Sequence, residues 1–272
     1  MLTKNFNGGD MNKLLLACVL MLTSGWGQAK VHGEEVSYKT ATTELKGYLA
    51  YDDAIEGPRP AVLVVHEWWG HNDYARKRAR MLAEMGYTAL AVDMYGDGKQ
   101  ANHPDDATKF MQEAVANGDE ARARFESALT LLKAHGTTDG ERVAAIGYCF
   151  GGAVVLTMAR AGLDLDAVVS FHGSIEPVGE KAQPGKTKAQ VLVFNGEQDP
   201  FVKPESITAF KQEMDEAGVD YQFVNLPDAL HSFTNPAADE VAKKFNMPLA
   251  YNAMADKRSW QEMSELFDKL FK

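Results

Sequence analysis

Thiols are scarce in this 272-residue chain: Cys18 and Cys149 are the only two. A chain that loses its first 29 residues keeps one thiol and can form no internal disulfide, even in an oxidising compartment. Stability therefore rests on a packed core. Basic charge is also short, with 28 Lys and Arg against 38 Asp and Glu and a formal net charge of −10. Binding a phosphate backbone relies on clustered Lys and Arg that displace counterions, so no nucleic-acid partner is expected. No apolar run reaches the roughly 20 residues that a membrane-spanning helix needs, and no repeat, low-complexity tract or linker divides the chain. What is present is an ordinary globular balance, 45% hydrophobic and 24% charged, enough to bury one large core.

Near the start, Lys13 precedes an apolar run at residues 14–22, and "TSGWGQA" follows with small and turn-forming residues. This reads as an export leader cleaved after Ala29, which gives a leader over residues 1–29, one domain over 30–272, and a periplasmic or secreted product without a stable membrane anchor. The polar residues ahead of Lys13 suit a leader poorly, which leaves Met1 and Met11 as rival starts. "LLAC", ending at Cys18, resembles a lipoprotein cleavage box, but its apolar lead-in is brief.

Beyond the leader, "EEVSYKTATTELKGYLAYD" alternates polar with apolar or β-branched residues and predicts an antiparallel hairpin. "PAVLVVHEWWG" and "YTALAVDMYG" are continuous apolar runs, as in strands covered on both faces. A helix is expected over residues 76–85, and a helical region over 104–135 interrupted near Asn117-Gly118. Strand "RVAAIGY", a helix over 151–161, strands "DAVVSFHG" and "QVLVFNGEQDP", a helix over 203–217 and strand "DYQFVNLP" then alternate. A last helix carries Trp260, Met263, Leu266, Phe267 and Leu270 on one face. This order predicts an α/β fold, a mostly parallel central sheet with helices on both faces.

In such sheets, sites lie beyond the carboxyl ends of the strands. Cys149 stands there in Gly147-Tyr148-Cys149-Phe150-Gly151, between a strand and a helix, the context of a nucleophile elbow. Flanking glycines permit the tight turn, and the Phe150 N–H at the helix start is free to face developing negative charge. The competing reading is a small buried hydrophobe, which free cysteines often are. Chain order favours chemistry: Asp199 ends a later strand and His231 follows the next, and nucleophile, acid, histidine is the order of the α/β-hydrolase triad.

Taken together, "VVHEWWG", "AVDMYG", "GYCFGG", "VSFHG", "NGEQDPFV", "LHSF" and the late "SWQEM" resemble the dienelactone hydrolase family, a cysteine branch of the α/β-hydrolases. The resemblance spans nearly the whole mature chain. It implies Cys149 as nucleophile, His231 as base and then acid, and Asp199 as the group orienting the imidazole. It also matches Glu67 to a family glutamate and assigns oxyanion donors to the backbone N–H groups of Trp68 and Phe150. A carboxylate near the sulfur would hold the resting thiol neutral against oxidation; otherwise Glu67 is a solvated loop residue. The implied reaction is hydrolysis of a small carboxylic ester or lactone through a thioester, with no cofactor. Tyr95, His172 and Ser232 are candidate pocket residues.

The pattern departs from the family where arginines grip a substrate carboxylate. Asp97 and Asn235 occupy those places, with only Lys99 nearby, so the dienelactone carboxylate is not the expected substrate. "HEWWGH" resembles a zinc motif, but His66 and His71 are five apart, roughly 140° around a helix, where zinc proteases use four, so no metal is expected. Ser170 and Ser174 lack the elbow context, and Tyr148 reads as a buried aromatic. The rival function is a noncatalytic binding or redox-sensing protein on the same fold.

Overall fold

The computed structural model describes residues 31–272. The expected leader, Cys18 and the choice between Met1 and Met11 lie outside the described residues. The alternation over residues 34–52 forms its hairpin: β1 (Val31–Lys39) pairs antiparallel with β2 (Glu44–Asp52). β2 in turn lies antiparallel on β4 (Thr88–Val92). The remaining pairings are parallel, through β3 (Arg59–Val65), β5 (Thr138–Tyr148), β6 (Ala167–Phe171), β7 (Gln190–Gly196) and β8 (Tyr221–Leu226). The order is β1-β2-β4-β3-β5-β6-β7-β8.

The continuous apolar runs follow from burial on both faces. Alternate residues of a strand point to opposite sides, so Leu63 and Val65 join one core while Val62 and Val64 join the other. The first core also takes Phe125 of α3 (Gly118–Ala134), Val155 of α4 (Phe150–Arg160) and Met214 of α5 (Pro204–Ala217). The second takes Leu82 of α1 (Asp73–Glu84) and Met263 and Phe267 of α7 (Ala253–Phe271). Each fully buried side chain of this size contributes about 1.5–3 kcal/mol, so cores on both faces hold the sheet flanked by helices. Among the described residues, no helix is long and apolar enough to cross a membrane.

Boundaries depart from expectation where side chains cap helices. α1 begins at Asp73, earlier than residue 76, because Asn72 Oδ1 accepts from the Tyr74 and Ala75 N–H groups. The expected break separates α2 (Pro104–Val115) from α3, with Asn117 Oδ1 accepting from Glu120 N–H at 3.1 Å. α6 (Ala238–Phe245) is an element that the pattern does not reveal. Its cap, Ala237, offers no side-chain acceptor, and the helix is held by Val241 and Phe245 packing near Trp69.

Candidate active site

β5 delivers Cys149 into the turn before α4. Its backbone lies at φ 53° and ψ −116°, a region that side chains other than glycine rarely adopt. The turn persists because neighbours over-determine it. The Cys149 N–H donates to Phe171 O at 3.0 Å and also to His172 Nδ1 at 3.2 Å. Glycines let α4 start against the sheet: a Cβ on Gly151 would sit 2.7 Å from His66 O, and one on Gly152 2.5 Å from Ser170 Oγ. The thiol itself is partly exposed.

Asp199 follows β7 and is buried. Its Oδ1 accepts from Phe201 N–H at 2.9 Å, and its Oδ2 is 2.7 Å from His231 Nδ1. His231 follows β8, where its main chain bridges Leu249 and its ring meets Phe201 edge-on at 5.0 Å. Burial opposes charge on this imidazole. The neighbouring Cys149 charge, with hydrogen bonds to Asp199 and Cys149, outweighs burial and pushes the pKa up to about 10. Cys149 and His231 line one cavity of about 550 Å³. The three residues that the chain scatters over more than eighty positions thus meet beyond the sheet's carboxyl edge.

Glu67, expected near the sulfur, is bound by the histidine loop. Ser232 Oγ donates to its Oε1 at 3.2 Å, and Asn235 Nδ2 donates to its Oε2 at 2.6 Å. It is buried, not solvated, and burial raises its pKa although both hydrogen bonds act against the shift. Asn235, which stands where the family pattern has an arginine, therefore faces an internal carboxylate. No local signal marks that pairing, because its partners are 168 residues apart.

The loop after β3 is fixed from beneath. Met94 N–H donates to His66 Nε2 at 3.2 Å, so the ring proton sits on Nδ1 and donates to Glu67 O at 2.6 Å. Tyr95 donates from its hydroxyl to Trp68 O at 3.0 Å. Among the described residues, neither the Trp68 nor the Phe150 amide N–H has a protein acceptor. Trp68 and Phe150 line the same cavity as Cys149.

Two expected pocket residues lie behind the cavity wall. Tyr95 is 4% exposed and supports Trp68; burial, then the Cys149 charge, holds its hydroxyl well above the usual range. His172 is fully buried under the elbow. Since its Nδ1 accepts from Cys149 N–H, its proton lies on Nε2, which donates to Thr234 Oγ1 at 2.7 Å. Burial, followed by the charges of His231 and Arg78, keeps it neutral. Tyr74 donates to the same Thr234 oxygen at 2.7 Å, and Arg78 donates to Thr234 O at 2.7 Å and pairs with Asp256 at 2.6 Å. Ser232 does line the cavity, as does Ser174.

The remaining singled-out residues have structural surroundings. Both nitrogens of His66 are occupied, and His71 is buried with its pKa pushed down to about 3, chiefly by burial and then by the charge of His66. Among the described residues, no group of His, Cys, Asp and Glu has a metal-holding arrangement. Tyr148 stacks on Phe171 at 4.8 Å within the core, Ser170 is buried beneath α4, and Lys99 lies over the Phe110 ring at 5.8 Å. Asp97 has a left-handed backbone, its N–H donating to Glu44 O.

The chain is similar to proteins of known fold and family. P91, a dienelactone hydrolase-like promiscuous phosphotriesterase from metagenomic libraries, has a crystal structure that superposes with a TM-score of 0.82 at 40% identity, covering 90% of this chain and all of that one. The structure of dienelactone hydrolase from Anabaena variabilis shares the fold, with a TM-score of 0.58 at 21% identity over 81% of this chain and 99% of its own. Protein usf of Aquifex pyrophilus is 29% identical over 214 residues, 77% of this chain and 90% of usf. The model of the dienelactone hydrolase family matches residues 45–271. The chain therefore belongs to the dienelactone hydrolase family, an ester- or lactone-hydrolysing enzyme on the α/β-hydrolase fold.

Proposed function

We propose that this enzyme hydrolyses small carboxylic esters or lactones through a Cys149-His231-Asp199 triad and a thioester intermediate. The observation that carries the reading is the 2.7 Å contact of His231 Nδ1 with buried Asp199, in the wall of the cavity that the Cys149 elbow enters. Asp199 fixes the imidazole with Nδ1 protonated, leaving Nε2 to exchange a proton with the sulfur and the leaving group.

Thiolate attack forms a C–S bond while the carbonyl π pair moves to oxygen. The free Trp68 and Phe150 amides support an oxyanion site, which acts before water can reorganise. Collapse expels the alkoxide, which takes the proton from His231, and leaves an acyl-cysteine. Water then attacks with its proton passing to His231, and the C–S bond breaks to restore the thiolate. Glu67, bound to Ser232 and Asn235, acts in this reading by fixing the histidine loop in place of a direct bond to the resting thiol.

The test is intact-mass analysis after mixing with a small activated ester. One acyl adduct on Cys149 is expected, with turnover lost by about 10⁴-fold or more in Cys149→Ala and His231→Ala. An unlabelled Cys149 with no turnover across a broad ester and lactone panel would establish the noncatalytic binding reading instead.

Likeness to P91 supports a second activity on neutral phosphotriesters. A cavity lined mainly by apolar side chains suits an uncharged aryl triester, and the oxyanion donors suit its P=O group. Nitrophenolate release from a nitrophenyl triester tests it. The leader-like segment at residues 1–29 supports export, and a mature protein beginning at Lys30 is the expected result of N-terminal sequencing.

A further inference from the structure

We propose that the active-site cavity is an acyl-chain groove, and that the enzyme prefers esters of straight aliphatic acids of about eight to twelve carbons. The proposal rests on the hydrolase reading above and names its substrate class.

The groove starts at the nucleophile. Cys149, Ala153, Thr157 and Ala161, four residues apart along one side of α4, all line the cavity. At 1.5 Å per residue, twelve residues extend about 18 Å from the sulfur. A saturated chain advances about 1.2 Å per bond, as the extended backbone does, so a chain of this length lies within the groove. Facing residues are small or flexible: Ala114 and Met111 of α2, and Ala121 of α3. Small residues on both sides leave a channel where a core would be filled.

Exposure points the same way. Val115, Val178 and Phe201 are 40%, 46% and 55% exposed, among the few large apolar side chains left in solvent, and all three line this cavity. Leaving them wet is unfavourable unless an apolar ligand covers them. Continuity with Cys149 and His231 identifies that ligand as the acyl part of the substrate. Its far end is apolar as well. Apart from His231, Arg122 is the one charged residue of the lining, and its Nε already pairs with Glu126 at 2.8 Å.

The experiment is a chain-length series of p-nitrophenyl esters, paired with calorimetric binding of free butyrate and decanoate to Cys149→Ala. kcat/KM is expected to climb at least tenfold from acetate to decanoate and to level off beyond about twelve carbons. Burial of each methylene strengthens binding by about fourfold, so decanoate should bind Cys149→Ala at least tenfold tighter than butyrate. Ala161→Trp, with Ala161→Val as a gentler variant, should lower the decanoate-to-butyrate ratio of kcat/KM by about tenfold and shift the optimum to shorter chains. A flat or falling series, with decanoate bound no tighter than butyrate, overturns the groove while acetate turnover leaves the hydrolase reading intact. If no ester acylates Cys149, the hydrolase reading fails, and the binding ratio still decides whether the groove takes an alkyl chain.

Discussion

Asn235 Nδ2 donates to Glu67 Oε2 at 2.6 Å, joining the loop after β3 to the loop that carries His231. A position where the family pattern has a cation for substrate therefore holds a neutral amide committed to the protein's own carboxylate. The amide and the buried glutamate form one unit.

Asn235→Ala tests that unit. Losing the donor leaves one oxygen of a buried carboxylate unpaired, which costs about 1–3 kcal/mol. A lower urea midpoint with an unchanged slope is expected, and kcat should fall together with stability as His231 loses its support. Unchanged stability would mean that Glu67 finds another partner.

His231 should give the enzyme an unusually alkaline limb. The folded imidazole is raised to about 10, first through the Cys149 charge and then through Asp199, against the opposing effect of burial. A value raised above the unfolded one, near 6.5, contributes stability fully below about pH 6.5 and loses it as pH climbs through about 10. Burst-phase acylation should likewise persist above pH 8 and fall toward pH 10, since the leaving group needs the Nε2 proton. Cys149→Ala should lose the alkaline dependence of stability, measured by thermal unfolding across pH 6–10.

His172 lies beneath the elbow, with Nδ1 accepting the Cys149 N–H and Nε2–H donating to Thr234, and a positioning role is expected of it. His172→Phe keeps an aromatic ring but removes both bonds. A loss in kcat of about 10- to 100-fold with KM nearly constant is expected, equivalent to about 1.4–2.8 kcal/mol of misplaced nucleophile. His172→Asn, which can supply an acceptor, should recover part of it, whereas a purely structural residue would alter Tm and leave kcat alone.

Gly151→Ala probes the close approach of α4 to β3. The added methyl would lie 2.7 Å from His66 O and closer still to Val65 O, so helix or strand must shift. Because Phe150 N–H moves with the helix, kcat should fall by at least about tenfold while the protein stays folded. A crystal structure of the variant would display the displacement.

The order of strands and helices was legible because period and turn signals are local. Uninterrupted apolar runs such as "AVLVV" at β3 announce burial on both faces, and Gly-Tyr-Cys-Phe-Gly announces a sharp strand-to-helix turn. α6 was not legible, since a short helix without a capping side chain is held by contacts with Trp69, which belongs to a distant part of the chain.

The sequence by itself determined the architecture and the identities of Cys149, His231 and Asp199 as groups at strand ends, because backbone geometry and strand order are encoded nearby. Only the tertiary structure decided where side chains point: Glu67 toward Asn235, Tyr95 and His172 behind the cavity, and small residues of three helices along one groove. Those outcomes depend on which distant surfaces pack together, and hydrogen bonds between loops 168 residues apart leave no periodic trace along the chain.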